Sequence, residues 1–149
     1  MPDLALFQPD IPGNTGTLMR LCACMGVQLH IIDPAGFRMD EKSLRRAGMD
    51  YLELTSLQRH ANWPTFQSWC ENSSRRVVLL TTKSEKRYTD FQFQKSDILL
   101  LGRESSGVPD EVHQALENRL TIPMAGKARS INVAISGAMV LGEALRQTQ

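Results

Sequence analysis

Cysteine is too scarce in this chain to hold it together. Its three residues, Cys22, Cys24 and Cys70, are odd in number and form neither a C-x-x-C pair nor a cluster with histidine, which argues against a disulfide framework or a zinc site. A reducing cytoplasm is the expected compartment, and no metal is expected. Long hydrophobic runs are missing too. The N-terminal "MPDLALFQPD" has no basic stretch ahead of a long apolar segment, and no window approaches the roughly 18 apolar residues of a membrane span. Charge of one sign is also lacking. With 17 Lys and Arg against 16 Asp and Glu, the formal net charge is +1, so a nucleic-acid partner has to be held by a local basic patch. "KSLRRAG", residues 42 to 48, is one such patch. No repeat, low-complexity tract or linker divides the chain, and residues 1–149 read as a single domain.

The familiar nucleotide fingerprints are absent as well. "GNTG" (13 to 16) has neither the G-x-G-x-x-G spacing of a dinucleotide fold nor the Gly-Lys-Ser/Thr end of a P-loop, and "AGKARS" lacks the first glycine of a P-loop. A standard Rossmann cofactor site or an NTPase is therefore not expected.

What is present is an alternation of strands and helices. "VVLL" (77 to 80) and "ILLL" (98 to 101) are short apolar runs without polar alternation, as in strands buried on both faces of a parallel sheet. "DLALFQ" (3 to 8), "QLHIID" (28 to 33) and "RLTIP" (119 to 123) are further strands. In "NTGTLMRLCACMG", Asn14 is predicted to cap a helix with Leu18, Leu21, Cys22 and Met25 on its apolar stripe, Arg20 opposite, and Gly26 as its stop. Pro109, with Asp110 and Glu111 behind it, opens another helix, because acids suit the positive end of the helix dipole. Helices over roughly 62 to 72 and 131 to 147 complete an α/β fold with a mostly parallel sheet covered by helices.

Ligands of such sheets sit outside the carboxyl ends of the strands. Three unusual segments follow strands there: "TTK" (81 to 83), "GRESSG" (102 to 107) and "MAGKARS" (124 to 130). Gly102 and Gly107 let backbone approach a ligand closely. Glu104 between them is a candidate ligand contact. Lys127 and Arg129 make the third loop positive with no acid beside them. The last helix is apolar nearly all round, with Ile131, Ile135, Ala138, Gly142 and Leu145 on one stripe and Gly137 on another side, expected to be kept for close approach to a second subunit. One sheet covers only one face of a helix, so the other is expected to meet a second copy. His30 and His60 receive no functional role.

In this order, "NTGTLMR" (14 to 20), "LLGRESSGVP" (100 to 109) and "IPMAGKARSINVAIS" (122 to 136) resemble the SPOUT class of S-adenosylmethionine-dependent RNA methyltransferases. The likeness extends through "HIIDPAGF" (30 to 37) and "LRRAGMDY" (44 to 51), and is closest to the minimal tRNA (cytidine/uridine-2'-O) type that modifies the wobble nucleotide. The resemblance implies a deep C-terminal trefoil knot, a rare exception to the rules of chain connection. It implies cofactor contacts at Leu80, Thr81, Gly102, Glu104, Gly107, Ile122, Met124 and Ser130, and no metal. It further implies a homodimer acting on the tRNA anticodon stem-loop, with leucine isoacceptors as the expected substrates. Catalytic roles fall to Arg20, Asn132 and Ser130, and RNA contacts to Asn14, Arg20, Lys42, Arg45, Arg46 and Arg129, with Lys127 beside them. A guanidinium stays protonated, so Arg20 is expected to bind phosphate and stabilise the developing alkoxide. Alternatives are another tRNA or ribosomal RNA site, or an RNA-binding module without turnover.

Overall fold

The computed structural model describes residues 1–40, 42, 45 and 53–149. Six parallel strands form one sheet: β1 (Asp3–Phe7), β2 (Leu29–Ile32), β3 (Leu57–His60), β4 (Arg76–Leu80), β5 (Asp97–Leu101) and β6 (Asn118–Leu120), in the order β3-β2-β1-β5-β4-β6. Side chains alternate across a strand, and the two layers of core follow from that. Leu4, Leu6, Leu99 and Leu101 face one layer. Ala5, Phe7, Ile98 and Leu100 face the other. The apolar run "ILLL" is thus divided between two cores, and each fully buried leucine contributes about 1.5–3 kcal/mol relative to exposure.

Helix α1 (Pro12–Met25) and the long C-terminal α4 (Val133–Thr148) pack on the first layer, while α2 (Trp63–Asn72) and α3 (Asp110–Ala115) pack on the second. Asn62 caps α2, accepting the Thr65 N–H at 2.9 Å. Gly26 ends α1 at φ 68°, as its sequence position predicts.

Four expectations need correction. Asn14 is not a cap: α1 begins two residues earlier with Pro12 at its first turn and Ile11 at the cap position, and proline suits that turn because its missing N–H has no helical partner there. Met25, assigned to the apolar stripe, is 46% exposed, and Thr15, Gly16 and Met19 are buried in the helix instead. On α4, Leu145 is turned inward, and Gly137 approaches this chain's own core. A Cβ at Gly137 would lie 2.9 Å from Leu101 Cδ1 and 3.0 Å from Leu18 Cδ2. Finally, β6 ends at Leu120, short of Pro123. Thr121 leaves the sheet and bonds another segment, donating to the Lys86 carbonyl at 2.8 Å and accepting from the Tyr88 N–H at 3.0 Å. The chain after β6 is clasped by the 84–90 loop at this crossing.

Candidate functional site

The carboxyl ends of β4, β5 and β6 lie side by side, and the loops that follow them enclose a cleft of about 490 Å³. That size lies within the range of small-molecule sites. Leu80, Thr81, Gly102, Glu104, Gly107, Ile122, Met124 and Ser130 all line it, together with Asn14 and Asn132. The sequence reading therefore converges on one place for its cofactor contacts. Among the described residues there is no cluster of metal-ligating side chains.

The wall after β5 is a tight turn. Arg103 N–H donates to the Gly107 carbonyl at 3.0 Å, and Gly107 N–H donates back to the Arg103 carbonyl at 2.8 Å. The turn closes so tightly that a Cβ on Gly102 would lie 2.8 Å from the Gly107 backbone, and Gly107 itself takes φ +68°. Both glycines are required, one for close approach and one for conformation. Their backbone forms a cradle against which a flat or extended ligand can lie, which fits S-adenosylmethionine.

Glu104 does something that its sequence position did not reveal. Its Oε2 accepts the backbone N–H of Asp10 at 2.9 Å, which sets the two carboxyl groups beside each other. Burial, followed by the bond to Asp10, pushes the Glu104 carboxyl up from its ordinary value. The bonds from Glu104 and then Ser105 hold the Asp10 carboxyl down. Asp10 Oδ2 accepts from the Ser105 hydroxyl and lies 3.7 Å from Arg103 Nε. The clue available in the sequence was an acid just after β1, at the ligand-binding edge of the sheet.

Asn132 is occupied structurally. As the cap of α4, its Oδ1 accepts from Ala134 N–H at 2.8 Å and Ile135 N–H at 3.2 Å, while its Nδ2 donates to Asn14 Oδ1 at 3.0 Å. The two asparagines thus tie the start of α1 to the start of α4 at the cleft wall. Asn14 is held there through its Oδ1.

The structure does not bring every expected residue to the cleft. Arg20 is exposed on α1 and does not line it. It lies six residues beyond Asn14, about 9 Å along the helix and about 120° around it. Lys42, Arg45, Lys127 and Arg129 are exposed outside the cleft, and Arg45 pairs with Glu53 at 3.2 Å. Arg46 lies outside the described residues. Lys83, the end of the "TTK" segment expected at this edge, and His113, to which the sequence reading gave no part, also line the cleft.

His30 and His60 are both buried, joined Nδ1 to Nε2 at 3.0 Å, and His30 Nε2 lies 3.4 Å from Asp3 Oδ2. Arg75 closes this chain on Asp3 at 2.7 Å. The chain sits away from the cleft, and packing under α2 is its role.

Comparison with known proteins agrees with this geometry. A tRNA (cytidine(34)-2'-O)-methyltransferase of Beijerinckia indica subsp. indica is 56% identical over 144 residues, covering 97% of this chain and 90% of its own. A solved structure concerned with the 2-OH methylation of C/U34 on tRNA superposes with a TM-score of 0.91 at 37% identity, covering 99% of this chain and 95% of that one. An AdoMet-bound rRNA methyltransferase from Sinorhizobium meliloti superposes with a TM-score of 0.86 at 27% identity, over 97% of this chain and 56% of that longer one. Residues 2–142 match the SpoU rRNA methylase family, and with its three sequence motifs gathered on one cleft the chain belongs to that family.

Proposed function

We propose that this chain methylates the ribose 2'-oxygen of the wobble nucleotide, cytidine or uridine 34, in tRNA, acting as a homodimer on the anticodon stem-loop. The observation that carries this reading is the cleft itself, where the backbone cradle of 102–107 faces the Asn14–Asn132 pair. The family's trefoil knot belongs to the same reading, with the clasp of Thr121 by the 84–90 loop as its supporting feature. Leucine isoacceptors are the expected substrates.

S-adenosylmethionine, when bound, supplies an electrophilic methyl group on sulfur. The protein's task is to place a ribose oxygen in line with it and to favour the charge that develops on that oxygen. Asn132 fixes Asn14, whose amide is placed to hold the RNA at the cleft wall. Ser130 stands exposed at the rim, where it can orient the 2'-hydroxyl. Arg20 binds the adjacent phosphate and stabilises the developing alkoxide. Because Arg20 is absent from the lining of its own cleft, it serves the cleft of a second copy.

The surface for that second copy is the outward face of α4. Ile131, Ile135 and Met139 are 37%, 55% and 40% exposed, beside exposed Ala138 and Gly142, and Ile11 is 47% exposed next to the cleft. Such a stripe running into the rim of a cleft suits a two-fold seam that completes the site. Lys42, Arg45, Arg46, Lys127 and Arg129 then contribute salt-dependent contacts to phosphate.

The test is methyl transfer from labelled S-adenosylmethionine to unmodified tRNA by the wild-type protein and by Arg20→Ala. The expected result is labelling at nucleotide 34 with wild type and none with the variant, while cofactor binding persists in both. Full transfer by Arg20→Ala would remove Arg20 from the mechanism, and labelling elsewhere in RNA would overturn the wobble assignment.

A further inference from the structure

Asp10 and Glu104 come from segments 94 residues apart, yet they form the contact that pins the 102–107 turn to the loop after β1. Three features of that contact require explanation together. Glu104 already accepts the Asp10 backbone N–H. That bond sets its carboxyl beside the Asp10 carboxyl, an arrangement unfavourable to two ionised acids because both are acceptors only. And Asp10 Oδ1, like the neighbouring Arg103 Nε, is buried without a hydrogen-bond partner among the described residues. A proton carried by Glu104 and directed at the Asp10 carboxylate resolves all three.

We propose that Asp10 and Glu104 share one proton as a clasp, and that this clasp holds the 102–107 turn in the shape that grips the cofactor. Glu104 is then a positioning residue acting through backbone, and neither a base nor a ligand of the cofactor. The inference rests on reading the cleft as the cofactor pocket.

The surroundings fit a single negative charge on the pair. Arg103 Nε stands 3.7 Å from Asp10 Oδ2, and Ser105 donates to the same oxygen, so Asp10 is the member held ionised. Lys83 and His113 are the other charged or titratable groups on the cleft. The loop against Asp10's other side presents Gly36, whose Cβ position would fall 2.8 Å from Asp10 Cβ. Among the described residues no hydrogen bond reaches Oδ1.

Removing the proton leaves two carboxylates in contact and releases the turn. Since Glu104 is raised from its ordinary 4.5, the clasp is intact at low pH and is lost as pH rises through the Glu104 value in the folded protein. Cofactor affinity should fall with it, approaching tenfold per pH unit above that value, because binding then requires uptake of a proton.

The experiment pairs calorimetry of S-adenosylhomocysteine binding between about pH 5 and about pH 8.5 with carbon-13 NMR titration of the Glu104 and Asp10 carboxyls. Wild type is expected to lose affinity with rising pH, with the Glu104 carboxyl titrating above its ordinary value and Asp10 responding at the same pH. Glu104→Gln, whose amide donates to Asp10 and accepts its N–H, should bind with a flat profile. Asp10→Asn, which can donate to an ionised Glu104, should flatten it too. Glu104→Ala should bind weakly at every pH. A Glu104→Gln profile as steep as wild type, or Glu104→Gln as weak as Glu104→Ala, would overturn the proposal, as would two carboxyls titrating independently in the ordinary range. Failure of wild type to bind S-adenosylhomocysteine at any pH would instead sink the pocket reading, while the NMR titration still decides the clasp.

Discussion

Replacing Gly102 by alanine tests whether the cradle after β5 depends on atomic closeness. The added Cβ would lie 2.8 Å from both the carbonyl carbon and the Cα of Gly107, and 3.1 Å from Val108 N. All three are backbone atoms, so no side chain can rotate aside. The turn must open, and opening strains the two reciprocal bonds between Arg103 and Gly107. Overpacking of this kind costs about 1–3 kcal/mol, and weakening one backbone bond adds about 1 kcal/mol. Gly102→Ala is therefore expected to lose about 2–4 kcal/mol of stability in urea unfolding and more than about tenfold in S-adenosylhomocysteine affinity by calorimetry. Gly126→Ala is the control. Gly126 also has positive φ, at +57°, but a Cβ there meets nothing within 4 Å and the residue does not line the cleft. It should cost about 1–2 kcal/mol for its backbone conformation alone and leave cofactor affinity as it was. Equal effects of the two substitutions on cofactor binding would refute the idea that the closed turn forms the grip.

Other substitutions test other links in the account. Asn132→Ala removes the one oxygen that accepts two N–H groups at the start of α4, and the anchor of Asn14, so stability should fall by about 0.5–2 kcal/mol in chemical denaturation and methyl transfer should fall more than cofactor affinity. Ile135→Asp places a charge in the middle of the exposed α4 stripe, and light scattering should find monomers that bind cofactor but do not methylate tRNA. His60 is held below its ordinary 6.5 by burial and then by the neighbouring His30. A depressed value means that its contribution to stability is present above about pH 6.5 and is lost as pH falls through the folded value, so urea midpoints should drop on acidification and His60→Gln should lessen the drop.

The central strands were legible in the sequence because burial on both faces leaves an uninterrupted apolar run, as in "VVLL" and "ILLL". Strand β3 was not. Its sequence "LQRH" lies at a sheet edge, half exposed, and edge strands have no need of an apolar run. The start of α1 was misplaced because Asn14 looks like a cap, whereas its side chain is held by Asn132, 118 residues away. The same long range hid the clasp, since neither Asp10 nor Glu104 is unusual until the fold sets them together. The loops that line the cleft were readable because they follow strand ends. The place of Arg20 outside that lining was not legible from residue types.

The central claim is that this fold methylates the wobble ribose of tRNA. Mass spectrometry of nucleoside-resolved digests, comparing tRNA from cells carrying the gene with tRNA from cells lacking it, addresses that claim most directly. The account predicts 2'-O-methylcytidine or 2'-O-methyluridine at position 34 only when the protein is present, restored by wild type and not by Arg20→Ala. Unchanged 2'-O-methylation at position 34 in the cells lacking the gene would contradict it.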